Sequence, residues 1–209
     1  MTLYVPPLFR VEERGALVDF LERHAFGTLV SSGPGGLHVS HVPFLVEAAD
    51  DGALTLLTHL ARANPHGREL ERAEHVLAIF QGPHAYVSPT WYESHPAVPT
   101  WNYAVVHAQG RARPLDEARL RGLLGRLSAK YEAGRPAPWR MEDLAEDFVA
   151  KMVNAIAGFA IEVDKLEGKF KLSQNRPARD AARVADALES GGEADLARLM
   201  REQAATARR

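Results

Sequence analysis

The sequence predicts an α+β fold, a small β-barrel decorated with helices. Short apolar runs bounded by turn signals recur through the first half of the chain. Helical stripes interrupt them without the strict strand-helix alternation that a βαβ sheet requires. The 209 residues are 46% hydrophobic, enough for a genuine buried core.

After Pro6-Pro7, residues 12–24 (EERGALVDFLERH) place Ala16, Leu17, Phe20 and Leu21 on one helical stripe. "FGTLVSS" reads as a strand, "GPGG" as a turn, and "LHVSHVPFLVE" as a second strand long enough to need a kink. Pro43 within it marks an edge or a bulge, because proline cannot donate to a ladder. "ALTLLT" is the third strand, and it runs out into a short helix over about residues 65–72. Asn64-Pro65 is the start signal: a capping side chain, then a residue whose missing N–H costs nothing there. "HVLAIFQG" barely alternates and reads as a fourth strand buried on both faces. "WNYAVVHAQGRAR" is a later strand that opens with two aromatics around an asparagine.

Residues 115–132 and 142–156 are amphipathic helices joined by the proline-rich "GRPAPW". "FAIEVDKLEGKFKLSQN" returns to strand character, and the C-terminus reads as two helices separated by Gly191-Gly192. The expected organisation is one domain over 1–209, with helical insertions at about 115–156 and a helical extension at about 178–207.

Composition excludes several function classes. Without cysteine there are no disulfides, thiolate metal sites or cysteine nucleophiles. The nine histidines show no H-E-x-x-H spacing, and His38 and His41 fall on opposite faces of a regular strand, so no metal site is expected. There is no G-x-S-x-G elbow, no P-loop and no G-x-G-x-x-G fingerprint. With 25 Lys+Arg against 27 Asp+Glu the chain carries no global basic field, so any nucleic-acid affinity needs a local patch. No apolar stretch reaches the ~20 residues of a membrane helix and no signal peptide opens the chain, so a soluble cytoplasmic protein is expected.

Three polar clusters remain. Thr58, His59, Arg62 and Asn64 stand where the third strand meets its helix, and a helix start suits an anion. Trp101, Asn102 and Tyr103 open the later strand. Lys169, Lys171, Gln174, Asn175 and Arg176 gather where the last strand ends. Together they offer anion donors, flat apolar surfaces and amide groups, which a phosphorylated planar heterocycle requires.

"FGTLVSS", "HLARANP", "VLAIFQGPHAYVSPTWY", "VPTWNY" and "LEGKFKLSQNRP" resemble the PaiB family, described as FMN-binding negative transcriptional regulators. The resemblance runs from "YVPPLF" into the C-terminal helices. It implies a split β-barrel of the pyridoxamine-phosphate-oxidase type and a homodimer with FMN in a cleft between subunits. It places Thr58, His59, Arg62 and Asn64 at the phosphate, and Ser40 and His41 along the ribityl chain or ring. Trp101, Asn102, Gln174 and Arg176 would come from the other subunit. One departure is the connection between "SPTWYES" and "VPTWNY", which is only "HPA" here; the family usually has a longer loop there, often with a lysine.

The resemblance implies operator DNA as a partner, yet no helix-turn-helix is evident. Arg198, Arg201, Arg208 and Arg209 are scattered through the tail as a solvated face. The competing reading is a flavin-dependent oxidoreductase, for which the cofactor supplies the redox chemistry and no histidine among His41, His59 and His107 is singled out. Haem on a histidine ligand is the third reading.

Overall fold

The structure, a computed structural model, describes residues 3–206; Arg208 and Arg209 lie outside the described residues. Among the described residues, eight strands and six α-helices follow one another. The strands are β1 (Arg10–Val11), β2 (Phe26–Gly33), β3 (Gly36–Pro43), β4 (Leu45–Ala48), β5 (Leu54–Ala61), β6 (Val76–Val87), β7 (Thr100–Pro114) and β8 (Ile156–Lys171). The helices are α1 (Arg14–Arg23), α2 (His66–Arg72), α3 (Glu117–Glu132), α4 (Glu146–Asn154), α5 (Ala178–Ser190) and α6 (Ala194–Thr206). The strand order is β3-β2-β6-β7-β8-β5-β4, with β1 paired to β8 off this path. Contacts divide the chain into two compact units.

The second unit, Leu21–Phe80 with Ala108–Leu166, holds most of the strand pairing. β2 and β3 form a hairpin in register from Phe26↔Pro43 to Gly33↔Gly36. Its turn requires glycine, because Gly36 sits at φ +103°. The expected long second strand breaks at Phe44, whose N–H turns aside to the carbonyl of Ala25 (2.7 Å), and the chain resumes as β4. β3 ends the strand order, as Pro43 foretold. β5 pairs with β4 on one side and β8 on the other, from Leu54↔Val163 to Ala61↔Ile156.

Helix α3 starts where Asp116 accepts the Arg119 N–H (2.8 Å) and buries Leu120, Leu123 and Leu127, one stripe at helical spacing. These leucines pack with Val149 and Val153 of α4 against Leu45, Leu57 and Ala160. At about 1.5–3 kcal/mol per buried aliphatic side chain, the stripe is what attaches α3.

The first unit joins residues up to Phe20, Gln81–His107 and Glu167 onward. β1 pairs with the end of β8 through Arg10↔Lys169 and Val11↔Gly168. A Cβ on Gly168 would stand 2.3 Å from the end of the Leu17 side chain, which would have to move to admit it. Helices α5 and α6 turn back on each other at Gly191 and Gly192 and bury Val184, Leu188, Leu196 and Met200. Asp180, in the first turn of α5, is fully buried and accepts the N–H groups of Glu93 (2.9 Å) and Ser94 (3.4 Å). Arg179 and Arg183 both pair with Glu93 at 3.2 Å. The connection after Trp91 is thereby clamped to α5.

One expectation is corrected. β6 is not buried on both faces: Val76, Ala78, Phe80 and Gly82 are buried and the residues between them are not. The alternation then slips at Pro83-His84, two unburied neighbours in succession, before resuming at Ala85 and Val87. Leu77 and Ile79 are apolar on the less covered face, so the composition hid the period.

Candidate functional site

In the second unit the polar cluster is built by β3, the exit of β5 and α2. Ser40 is buried on β3, and His66 is buried at the first position of α2. Asn64 fixes both. Its Oδ1 accepts the His66 backbone N–H (3.0 Å), so its Nδ2 is the group that donates to Ser40 Oγ (3.2 Å). The Ser40 hydroxyl also bonds His66 Nδ1 (2.8 Å), and which of the two donates follows the imidazole tautomer. Burial pushes the His66 pKa down, the neighbouring His38 adds to the shift, and Glu69 opposes it. The His38 and His66 rings stack at 5.8 Å. Ser31 Oγ, His38 Nε2, His66 Nε2 and Glu69 Oε2 are buried without a hydrogen-bond partner among the described residues.

Thr58 and Arg62 are engaged within the same unit. The Thr58 hydroxyl is buried and donates to the carbonyl of Pro43 (2.8 Å). Arg62 donates from Nε to Asn154 (2.8 Å) and from an η nitrogen to Ile156 (2.7 Å), so it ties the end of α4 to the start of β8. A guanidinium has five N–H donors, and these bonds occupy two of them. Arg62 lines a cavity of about 180 Å³ together with Glu71 and Glu117. His59 is half-buried, its Nδ1 has no hydrogen-bond partner among the described residues, and burial pushes its pKa down. His41 is exposed on the other face of β3, 3.0 Å from the Thr28 hydroxyl.

The remaining candidates lie in the first unit, on opposite faces of β7 and in the turn after β8. Trp101 is 53% exposed, its ring 6.4 Å from His84 and 6.1 Å, edge-on, from Tyr86. Asn102 points the opposite way along β7 and is fully buried. Its Nδ2 donates to Ser173 Oγ (2.9 Å) and reaches Met200 Sδ (3.4 Å), while its Oδ1 has no partner among the described residues. Ser173 holds φ +69°, a left-handed conformation that costs energy for any residue but glycine. Gln174 folds back on its own turn, accepting the Leu172 N–H and donating to the carbonyl of Phe170, both at 2.6 Å. Arg176 lies 4.4 Å over the Tyr92 ring.

Residues 3–165 match the family described as "Putative FMN-binding domain". The chain belongs to this family. It is 36% identical over 188 residues to Protease synthase and sporulation protein PAI 2 of Bacillus subtilis, covering 90% of each chain. An uncharacterized protein of Saccharomyces cerevisiae is 36% identical over 119 residues, 54% of this chain and 70% of that one. Among solved structures, the FAD and haem binding protein from Mycobacterium smegmatis superposes with a TM-score of 0.61 at 18% identity, covering 82% of this chain and 78% of that one. The flavocytochrome Anf3 from Azotobacter vinelandii gives 0.61 at 16%, over 83% and 75%. At such identities these structures show the fold alone, and it is the α+β split-barrel class expected from the motifs. The resemblance to PaiB is borne out, and FMN is the cofactor of the family.

The residues present fit a flavin. Trp101 offers a flat exposed ring, and Arg62 keeps unassigned N–H groups. Sequence reasoning missed His66, Glu69, Ser173 and Met200. His66 was one histidine among nine, and neither a buried tautomer nor a positive φ leaves a sequence pattern. No helix among the described residues is long and apolar enough to cross a membrane.

Proposed function

We infer that the protein is an FMN-binding homodimer acting in the cytoplasm as a negative transcriptional regulator of the PaiB type. The observation that carries this is the 36% identity to PAI 2 over 90% of both chains. In this reading His59, Arg62 and Asn64 meet the phosphate, with Thr58 setting the strand behind them. Of the two β3 candidates, Ser40 is the one on the face of His59, Asn64 and His66 and is assigned to the ribityl chain, while His41 lies on the opposite face. Trp101 and Arg176 belong to the ring and are drawn from the other subunit, with the buried Asn102 behind Trp101 holding Ser173 and Gln174 shaping the turn. When bound, FMN supplies electron-transfer chemistry that no side chain in either cluster offers.

Operator DNA would need a basic surface. Arg198 pairs with Asp195 (2.7 Å), and Arg201 pairs with Asp186 (2.9 Å) and Glu189 (2.7 Å), so neither is a ready phosphate contact. The Lys169–Arg176 segment is the better candidate. The test is an anisotropy titration against DNA from upstream of the protein's own locus, with and without FMN, alongside sedimentation. A dimer whose DNA affinity changes with FMN, and falls steeply with salt, supports the regulator. A flavin-loaded monomer, or a flavin reduced by a nicotinamide donor with no specific DNA binding, refutes it. The second outcome would favour an oxidoreductase, a reading encouraged by the exposure of Trp101 beside the proposed ring site.

A further inference from the structure

The FMN reading gives no role to the hydrogen-bond relay buried under α2. Ser40 and His38 lie on one face of β3, and Ser31 stands opposite His38 on β2. Helix α2 packs over them with His66 and, one turn on, Glu69. Ser40 is 8% exposed and His66 only 2%, so a bound molecule touches the serine and not the imidazole behind it.

The Ser40 oxygen has two lone pairs and one hydrogen. One lone pair takes a hydrogen from Asn64 Nδ2 (3.2 Å), whose direction is fixed because Asn64 Oδ1 accepts the His66 N–H (3.0 Å). A hydrogen and a lone pair remain for two partners, His66 Nδ1 at 2.8 Å and the ligand. With Nδ1 bare, Ser40 gives it the hydrogen and meets the ligand as an acceptor. With a proton on Nδ1, Ser40 accepts it and turns its own hydrogen on the ligand.

The far side of the ring makes that choice. His66 Nε2, His38 Nε2, Ser31 Oγ and Glu69 Oε2 are buried with no hydrogen-bond partner among the described residues. Of these, an ionised carboxylate oxygen is the one that can only accept. It is pressed against β2, where a Cβ on Gly33 would stand 2.2 Å from it. A bare Nε2 would bring a lone pair into the field of a buried anion, whereas a protonated one brings a positive edge. Burial and His38 meanwhile keep the ring from taking a second proton, against the pull of Glu69.

We propose that His66 is a positioning residue for the flavin: with its proton held on Nε2 by the field of Glu69, it takes the Ser40 hydrogen and leaves Ser40 a lone pair for a ribityl hydroxyl. This rests on the reading above that gives Ser40 to the ribityl chain, and it names the device that orients the serine. It also turns the phosphate away from Ser40, because a phosphate dianion has no hydrogen to give.

The test compares FMN, riboflavin and lumiflavin, a flavin without the ribityl chain, by fluorescence quenching from about pH 5 to 9. Nitrogen NMR of the unaltered protein, labelled in histidine, should show His66 with a bare Nδ1 and a protonated Nε2, with and without riboflavin. His66→Leu should weaken FMN and riboflavin about tenfold and leave lumiflavin within about twofold. His66→Asn, whose Oδ1 stands in for Nδ1 as the acceptor, should restore most of the riboflavin affinity. Riboflavin carries no phosphate, so its affinity should fall in acid as His66 takes a second proton, at a midpoint below the ordinary 6.5. The groups facing the ring are His38 on β3 and Glu69 on α2, with Arg72 4.0 Å from the Glu69 carboxylate, and β2 adds the uncharged Ser31. The Asn variant should lose that pH dependence.

A proton on Nδ1 overturns the proposal. Equal loss of all three flavins in His66→Leu does so too, since a histidine that merely supports the fold would give that result. Loss of FMN alone would put the phosphate at Ser40 and is equally fatal. If His66→Leu fails to fold, the histidine spectrum and the riboflavin pH profile of the unaltered protein decide. A protein that binds none of the three flavins refutes the FMN reading and this proposal with it, whereas flavin binding that ignores His66 refutes the proposal alone.

Discussion

Arg62 is where the flavin reading meets the structure most directly. Replacing it with Ala removes the two bonds to the carbonyls of Asn154 and Ile156. At an exposed position each contributes about 0.5–1.5 kcal/mol, so about 1–3 kcal/mol of stability should go. For a chain of this size about 2–4 °C accompanies each kcal/mol, so the melting temperature of the apo protein should fall by several degrees. The phosphate contact is a separate loss. A charge-assisted bond is worth about 1.5–3 kcal/mol, which lowers FMN affinity roughly ten- to a hundredfold. Riboflavin lacks the phosphate and should bind the variant as it binds the unaltered protein. The assay is flavin fluorescence quenching with both ligands, read beside thermal unfolding followed by circular dichroism. Arg62→Lys keeps the charge but cannot span both carbonyls, so it should lose stability and retain more of the FMN preference. Equal weakening of FMN and riboflavin by Arg62→Ala would refute the phosphate role and leave Arg62 as a brace between α4 and β8. Glu71 and Glu117 on the same cavity make this a demanding test, because they repel any anion that Arg62 does not hold.

Asp180→Asn should unclamp the connection after Trp91. The Glu93 backbone N–H first, then Ser94 and Arg179, hold the Asp180 carboxyl below its ordinary 3.8. Its stabilisation is therefore complete above that value and lost as pH falls through the lower folded pKa. The gap in melting temperature between variant and unaltered protein should be wide at neutral pH and close in acid; a gap independent of pH would refute the carboxylate's role. Ser40→Ala strands Asn64 Nδ2 and His66 Nδ1 in a buried place and should cost about 1–3 kcal/mol in urea unfolding. Gly110→Ala puts a Cβ 2.0 Å from the Glu162 carbonyl and should cost about 1–3 kcal/mol or more. Gly122→Ala, on an open face of α3, should stabilise by about 0.5–1 kcal/mol in the same melts.

The elements were legible because their signals are local. The Leu120, Leu123 and Leu127 stripe, the break near Pro43 and the Gly191-Gly192 turn all announce themselves within a few residues. The expected helix start at Asn64-Pro65 was right to within a residue, with α2 beginning at His66. What escaped was partnership. Sequence groups Thr58, Arg62 and Asn64 by proximity, but their hydrogen bonds reach Pro43, Asn154, Ile156 and Ser40, which are 15 to 94 residues away. Gln174 has the right chemistry for a ligand amide, yet both ends of its side chain bond its own turn. That Asn102 Oδ1 is buried with no hydrogen-bond partner among the described residues became visible only in the folded chain.

The bond from Asn102 to Met200 joins residues 98 apart, and the first unit draws on three separate stretches of chain. During synthesis this has an order built into it. The second unit is complete in sequence once Leu166 has left the ribosome, whereas Asn102 emerges about a hundred residues before Met200 does. Until then an asparagine amide destined for burial, together with the exposed Trp101 beside it, waits in a nascent chain whose closing helix does not yet exist. The surface assigned to ligand binding is therefore the last to be assembled, and a ligand that settles on it would reach only chains whose final helix has already docked.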